Sequence, residues 1–377
     1  MVDGRLILVV GAGPVGLAAA VELTRRGLLV RIVDAGEGPT PVEQSRALGI
    51  LPTTLSILAA SGVTKRLLAE GARIGGADIA RDGRRLFSIE LGRARTPTPF
   101  ILSLPQGRTE RIMIDWLAAR GVVVEWGLAL DDILDTHRPR AQLSNGESVA
   151  AHAVVGCDGI HSRVREAVGI PWRGEGYPGQ FALADVRFSA PIEATRAKVN
   201  IRSGISASAL LPFGTHAGRF IGVGGSPEAL YEGVEGIEAV TWTSRFTVAF
   251  RRAERMAKGR VFLAGDAAHV HSPVGGRGMN LGIWDAATLA FLLAEGRETE
   301  YETKRLPVVD QVLKATRQMT DTVSQPGGAA LQMLPYAMPL ANRVPALSRR
   351  ITERALALDL KQPEWLADEA LKSRGQR

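Results

Sequence analysis

Cysteine is almost missing from this 377-residue chain, which carries only Cys157. A single cysteine excludes an intramolecular disulfide framework and fits a reducing compartment. Its thiol is expected to act as a small buried apolar group rather than a nucleophile. No run of eighteen or more apolar residues occurs, so a transmembrane helix is not expected. Aromatic residues are scarce, at 5%, and the arginines behind the formal charge of +7 are scattered rather than blocked. That pattern argues against nucleic-acid binding and for a solvated surface that attracts anionic ligands. Residues 6–10 run straight into a glycine turn, as a first strand does and a signal peptide does not. The expected location is therefore the cytoplasm, as a monomer or a homodimer. A hydrophobic content of 45% against 23% charge is that of an ordinary globular protein, long enough for two structural regions.

Residues 5–34 read as strand, turn, helix and strand. The apolar run 6–10 is continuous, residues 15–26 follow a helical pattern stopped at Gly27, and residues 29–33 form a second strand ending at Asp34. Continuous apolar runs suit parallel strands covered on both faces. Residues 53–70 and 109–120 read as helices, and 122–126 and 153–156 as strands. Asn145-Gly146 marks a hairpin. From 172 to 250 the texture changes to sheet, with strands at 181–188, 207–213 and 219–223. A strand at 261–264 and a helix near 280–294 follow. Beyond 300 the chain is mostly helical, with a Gly-Gly break at 327–328. Leu347, Ile351, Ala355 and Leu358 recur at helical spacing as a docking stripe. The expected order is a nucleotide-binding region (1–171), an inserted sheet (172–250), a return to the first region (251–310) and a helical tail (311–377). No internal repeat is found.

The turn Gly11-Ala12-Gly13-Pro14-Val15-Gly16 has the spacing a pyrophosphate requires. Gly11 permits the tight turn, Gly13 lets the backbone approach the phosphates, and Gly16 lets helix pack on strand. The helix start offers unpaired N–H groups and partial positive charge. Asp34 follows eighteen residues after Gly16, where a carboxylate can accept from an adenosine ribose and disfavours a 2′-phosphate. The motif alone leaves FAD and a nicotinamide cofactor both open.

Two further segments carry more. Residues 154–165, Val-Val-Gly-Cys-Asp-Gly-Ile-His-Ser-Arg-Val-Arg, place an Asp-Gly turn after a buried strand. Residues 260–285 end a strand on Gly265-Asp266 and then open a helix through Pro273-Val274-Gly275-Gly276-Arg277-Gly278-Met279-Asn280. With the first motif, and with Ser45-Arg46-Ala47 and Leu104-Pro105-Gln106 nearby, the chain resembles the FAD-dependent aromatic hydroxylases of the p-hydroxybenzoate hydroxylase and phenol hydroxylase type. The likeness covers most of residues 5–310.

The resemblance implies an α/β fold: a Rossmann-like FAD-binding fold with an inserted mixed β-sheet and a helical C-terminal tail. It implies that NADPH or NADH reduces FAD, and that a flavin C4a-hydroperoxide hydroxylates a phenolic or polycyclic compound with O2. Asp266 would bond the ribityl chain, Arg46 and Gln106 the pyrophosphate and ribityl region. Asp158-Gly159 with Arg165 would serve FAD and the docking nicotinamide. Pro273 and Gly276 to Asn280 would lie along the flavin ring, where Gly275, Gly276 and Gly278 leave room for a planar ring. Phe181, Arg202, Leu211, Pro212, Phe213, Pro273 and Val274 are candidates for the substrate pocket. Arg202, His216 and Arg219 are weak candidates for a substrate-activating group, each more readily read as a surface residue. Trp284 is expected in the core or pocket wall. His269 and His271 are read as part of the flavin loop rather than as metal ligands.

The chain departs from that family in several places. Ala35 stands after the acid where arginine is common, and Arg277 stands where glutamine is frequent. The 225–242 span is short, and no thioredoxin-like domain is expected after residue 310. A related flavin enzyme performing epoxidation, ring-opening oxygenation or reduction is the alternative, as is a non-catalytic FAD-binding partner. The missing Trp-x-Trp-x-Ile-Pro speaks against halogenation.

Overall fold

The structure, a computed structural model, describes residues 3–44, 47–202, 205–324 and 329–367. Its helices are α1 Pro14–Arg25, α2 Pro52–Ile57, α3 Val63–Glu70, α4 Gln106–Ala118, α5 Arg163–Ala167, α6 Gly278–Ala294, α7 Tyr301–Ser324, α8 Ala329–Arg343 and α9 Pro345–Ala355.

A six-stranded sheet forms the first layer, in the order Ala257–Lys258, Val261–Leu263, Ala153–Gly156, Asp3–Val10, Leu28–Asp34, Val124–Trp126. All its pairings are parallel except that of the short strand Ala257–Lys258. Ile7, Leu8 and Val9 are fully buried, as a strand covered on both faces requires. Helices α1 and α6 pack on this sheet and on each other.

Val10 pairs with Gly156, and Gly156 with Leu263. Because these strands are parallel and in register, their C-terminal ends lie side by side. All three sequence motifs begin there, in the place where open α/β sheets bind ligands.

The second layer is an eight-stranded mixed sheet. It runs His269–Val270, Ile237–Ala253, Trp172–Phe188, Ala217–Val223, Ile205–Pro212, Arg196–Arg202, Gly76–Arg81, Arg84–Glu90. Its one parallel pairing joins Arg196–Arg202 to Gly76–Arg81. The sheet thus draws on residues 76–90, which the sequence reading placed with the nucleotide-binding region.

Other expectations need adjustment. Residues 53–70 form two helices, because Gly62 in the left-handed region (φ +81°) turns the chain between α2 and α3. Of the expected stripe, Ala355 and Leu358 pack on the Leu91 and Ala94 cluster while Leu347 is exposed, and Ser348, Thr352 and Leu356 are buried on the docking side of α9 and its end. The Thr352 hydroxyl donates to the Glu90 carbonyl at 3.2 Å, and Leu356 packs on Leu91 and Ala94. Ser45, Arg46 and the 327–328 break lie outside the described residues. Among the described residues no helix is long and apolar enough to cross a membrane.

Candidate active site

The glycine turn is tight on one side and open on the other. A Cβ at Gly11 (φ +101°) would stand 2.4 Å from the Cys157 carbonyl oxygen, and one at Gly16 would stand 1.8 Å from that of Gly11. A Cβ at Gly13 would meet nothing within 4 Å. Pro14 begins α1, so the helix start presents its N–H groups toward that open side. Asp34 steadies the turn by accepting from the Ala12 N–H at 2.5 Å and the Gly36 N–H at 2.7 Å. A carboxylate has about four acceptor positions, so capacity for a ribose remains.

Gln106 begins α4 and fastens the neighbouring loop. Its amide donates to Glu110 at 2.8 Å, and its carbonyl accepts from the Ala47 N–H at 3.3 Å. Glu110 also takes the Thr40 N–H and hydroxyl, at 3.0 and 3.1 Å. Burial raises the Glu110 carboxyl above the usual range.

The second motif is largely committed to its own loop. Asp158 accepts from the Ser162 hydroxyl at 2.6 Å and the Val164 N–H at 3.0 Å, and Ser162 caps α5 by accepting from the Arg165 N–H. Burial lifts the Asp158 carboxyl. Gly159 supplies the left-handed residue of the turn, at φ +79°. Arg165, expected as a cofactor contact, is buried and directed inward. It donates to the Ala267 and Ile160 carbonyls, both at 3.0 Å, and lies over the Trp172 ring at 4.1 Å. It is a strut between the second and third motifs. Cys157 is buried and burial pushes its thiol well up, consistent with an inert packing residue.

The third motif interlocks with the first. Cβ atoms at Gly265 and Gly282 would stand 2.9 and 2.5 Å from a Val15 methyl, so Val15 is gripped between them. Asp266 is exposed between buried Gly265 and Ala267, where it can meet a ligand. Behind it lies a buried network. Asp285 accepts from Arg305 Nε at 2.7 Å and the Gly265 N–H at 3.3 Å, and it bonds His269 Nε2 at 2.5 Å. Burial alone would raise the Asp285 carboxyl, but Arg305 and His269 hold it below its ordinary value. His271 faces the Ser272 carbonyl through Nδ1 at 2.9 Å, and burial lowers its pKa to about 4. Among the described residues no group of three or more His, Cys, Asp or Glu is placed to hold a metal ion.

The loop ahead of α6 exposes backbone. Gly275 and Gly276 have φ of +86° and +60°, and a Cβ at Gly276 would meet nothing. Asn280 accepts from the Leu51 N–H and Thr54 hydroxyl at 2.8 Å, and donates to the Gly49 and Gly276 carbonyls at 2.9 and 2.8 Å. Its side chain therefore anchors the loop. Arg277 is turned away from the loop and donates to the Arg354 carbonyl of α9 at 2.6 Å. Met279 packs on the core, and Trp284 is core, its indole donating to Thr54. Gly278 opens α6, and Pro273 is half-buried in the loop. What this segment offers a cofactor is backbone and the positive end of α6.

The sheet meets this loop through an apolar cluster. Phe181, Val223 and Val248 are buried together, with Tyr177, Phe246, Val274 and Val323 packed on them. Phe181 stacks on Phe246 with ring centres 5.8 Å apart. Cross-strand pairs put Leu211, Arg219, Asp185 and Phe181 on one face, because Leu211 pairs with Arg219 and Arg219 with Asp185. Pro212, next to Leu211 in the strand, falls on the opposite face, and Phe213 lies just past the strand end. Arg202 closes the strand Arg196–Arg202.

Arg219 is neither a surface residue nor a free substrate contact. It is 1% exposed and forms a two-pronged pair with Asp185 at 2.6 and 2.7 Å. Asp185 escaped the sequence reading, although an acid inside the apolar run 181–188 is the signal that marks it. Burial lifts the Asp185 carboxyl above its ordinary value despite Arg219. His216 lies in the turn between strands, and its Nδ1 is buried without a hydrogen-bond partner among the described residues.

The site fits FAD: an open Gly13 before a helix start, an exposed Asp266, and bare glycine backbone before a second helix answer its phosphates, polyol and flat ring. Comparison with known proteins agrees. The family model described as "FAD binding domain" matches residues 6–214 and 232–316. The chain is 35% identical to 6-methylpretetramide 4-monooxygenase of Streptomyces rimosus, an alignment covering 94% of this chain and 69% of that protein. It is 32% identical to pentachlorophenol 4-monooxygenase of Sphingobium chlorophenolicum, over 84% of this chain and 64% of that one. Among solved structures, the anhydrotetracycline hydroxylase OxyS of Streptomyces rimosus superposes with a TM-score of 0.76 at 28% identity, covering 96% of this chain and 77% of its own. With its three cofactor motifs gathered at the ends of adjacent parallel strands and most of its length matched, the chain belongs to the FAD-binding family of flavoprotein aromatic monooxygenases.

Proposed function

We propose that this monooxygenase hydroxylates a flat, fused-ring aromatic compound held on the Phe181 face of the eight-stranded sheet. The observation that carries the reading is the apolar cluster joining Phe181, Val223 and Val248 to Val274 of the glycine loop. Stacked rings and branched aliphatic side chains suit a broad apolar ligand and keep water from its edge. The printed names of several relatives point the same way, naming 6-methylpretetramide and anhydrotetracycline as their compounds, whereas another names pentachlorophenol, a single ring.

In this reading the start of α1, with Gly13 open beside it, holds the pyrophosphate and Asp34 takes the adenosine ribose. Asp266 accepts from the ribityl chain. Gly275, Gly276 and Gly278 leave their backbone bare for the ring, and the start of α6 favours negative charge there. FAD, when bound, would supply the redox chemistry, with NADPH or NADH providing two electrons and O2 giving one oxygen atom to the substrate and the other to water. Gln106 and Arg165 act indirectly, by fixing the loops that touch the cofactor. Asp185 and Arg219 neutralise each other, so they shape the pocket floor without offering it a net charge.

The test is a visible spectrum of the purified protein, followed by NADH and NADPH consumption and product mass with fused-ring and single-ring phenols. A yellow protein that adds one oxygen to a tetracyclic phenol is expected. Oxygen insertion confined to single-ring phenols would overturn the substrate reading, and reductant use without any oxygenated product would favour reduction or another flavin reaction.

A further inference from the structure

The helix α7 belongs to both layers of the molecule. Near its start it is tied to the six-stranded sheet and to α6: the Tyr301 hydroxyl donates to the Leu263 carbonyl at 2.8 Å, and Arg305 to Asp285 at 2.7 Å. Farther along it meets the eight-stranded sheet. Asp310 pairs with Arg252 at 2.6 Å and Arg317 with Glu175 at 2.7 Å, and the Arg317 guanidinium lies over the Phe250 ring at 5.6 Å. Such partly exposed pairs add little energy one by one. Together they mark where the last turns of the helix run.

Thr316 and Thr320 of those turns are buried, and their hydroxyls donate back to the Val312 and Thr316 carbonyls, each at 2.7 Å. Met319 and Val323 stand one turn apart, on one face of the helix. Val323 packs on the cluster of Phe181, Val223 and Val248, as Val274 of the glycine loop does. Met319 reaches the loop itself, since a Cβ at Gly275 would stand 3.4 Å from its terminal methyl. Burial, with Asp321 of α7 adding to it, raises the phenol of Tyr177, which packs on the same cluster. Tyr177, Phe246, Val274, Met319 and Val323 thus gather from four segments, each half-buried, beside the exposed Gly275 and Gly276. A finished core would cover such side chains. An apolar rim left half open beside bare backbone suits a ligand instead.

We infer that Met319 and Val323 of α7 are specificity-determining residues, forming a wall of the substrate site that limits how large an aromatic compound reaches the glycine loop. The two side chains suit different parts of that task. Val323 is β-branched and stiff at χ1, so it acts as a fixed stop over the Phe181 cluster. Met319 is unbranched and polarisable, so it can follow the edge of a ring and keep water from the loop. This role rests on the placement of the substrate on the Phe181 face proposed above. It does not rest on the number of rings.

The FAD-loaded protein is titrated with phenol, 2-naphthol and anhydrotetracycline, and the change in the flavin spectrum gives a dissociation constant for each. Wild type is compared with Val323→Phe, Val323→Ala and Met319→Ala, with melting temperature and flavin content followed beside binding. The affinity for a larger ligand relative to a smaller one should fall about tenfold in Val323→Phe and rise in Val323→Ala, as expected when a few methylenes are added to or removed from a pocket wall. Met319→Ala should raise the share of reductant consumed without oxygenated product. Affinity ratios that stay unchanged in both Val323 variants would overturn the inference, as would a uniform weakening of all three ligands together with a lower melting temperature, the mark of a merely structural role. Unchanged coupling in Met319→Ala would reject the part given to that residue. A wild type that binds phenol in preference to both larger ligands would overturn the fused-ring reading instead, and Val323→Ala should then still shift the ratios toward 2-naphthol.

Discussion

A methyl group added at Gly16 would sit 1.8 Å from the Gly11 carbonyl oxygen, while one added at Gly13 would meet nothing within 4 Å. The two glycines therefore answer to different demands, one to the fold and one to the ligand. Gly16→Ala is expected to cost about 3 kcal/mol or more of stability and to lower melting temperature with or without FAD. Gly13→Ala should leave the melting temperature of the FAD-free protein unchanged and lower flavin content on purification. Asp266→Ala should do the same, since its side chain is exposed at the turn; normal flavin retention in that variant would contradict the ribityl role. His271 sets a pH dependence. Its folded pKa of about 4 lies below the ordinary value of 6.5, so the unfolded chain binds its proton first on acidification. The stability it contributes is complete above pH 6.5 and is lost as pH falls toward 4, by about 3 kcal/mol at most. Denaturant melts at pH 7.5, 6 and 5 should show the slope, and His271→Gln should flatten it.

Among the elements, α5 and the 265–267 turn are held together by one side chain. Arg165→Met keeps the bulk over Trp172 but drops the bonds to the Ala267 and Ile160 carbonyls. FAD release should accelerate about tenfold in that variant while far-ultraviolet circular dichroism stays unchanged. Elements defined by local pattern were the legible ones. The glycine turn, the buried strand Ala153–Gly156 and the Asn145-Gly146 hairpin each carry their signal within a few residues. What was illegible depends on distant partners. The strands Gly76–Arg81 and Arg84–Glu90 have a sheet only because Arg196–Arg202 arrives beside them more than a hundred residues later. Arg219 read as a surface residue because Asp185, which consumes it, stands across a strand pair. Likewise Arg277 and Arg165 sit at motif positions, yet their side chains are claimed by a tail carbonyl and a neighbouring turn that spacing does not reveal. The α9 stripe was legible in Ala355 and Leu358, which pack on Leu91 and Ala94, but not in Ser348 and Thr352, buried hydroxyls that bond as well as pack.

For the molecule as a whole, the grip of Gly265 and Gly282 on Val15 joins segments about 250 residues apart in sequence. The first strand likewise waits for Ala153–Gly156, and that strand for Val261–Leu263, before the sheet is closed on that side. Long-range closure of this kind is slow and comes after most of the chain is available. A chain still on the ribosome would thus display its glycine turn early but have no second wall to hold a flavin against. Capture of the cofactor becomes a late event of synthesis, one that reports completion of the fold rather than its start. A fragment ending at residue 250 should remain colourless when mixed with FAD, and adding the segment from 251 onward as a separate chain should restore yellow colour if the two halves assemble. Until that moment the apolar first strand is an exposed edge, and the growing chain's exposure to aggregation is set by how quickly its last third follows.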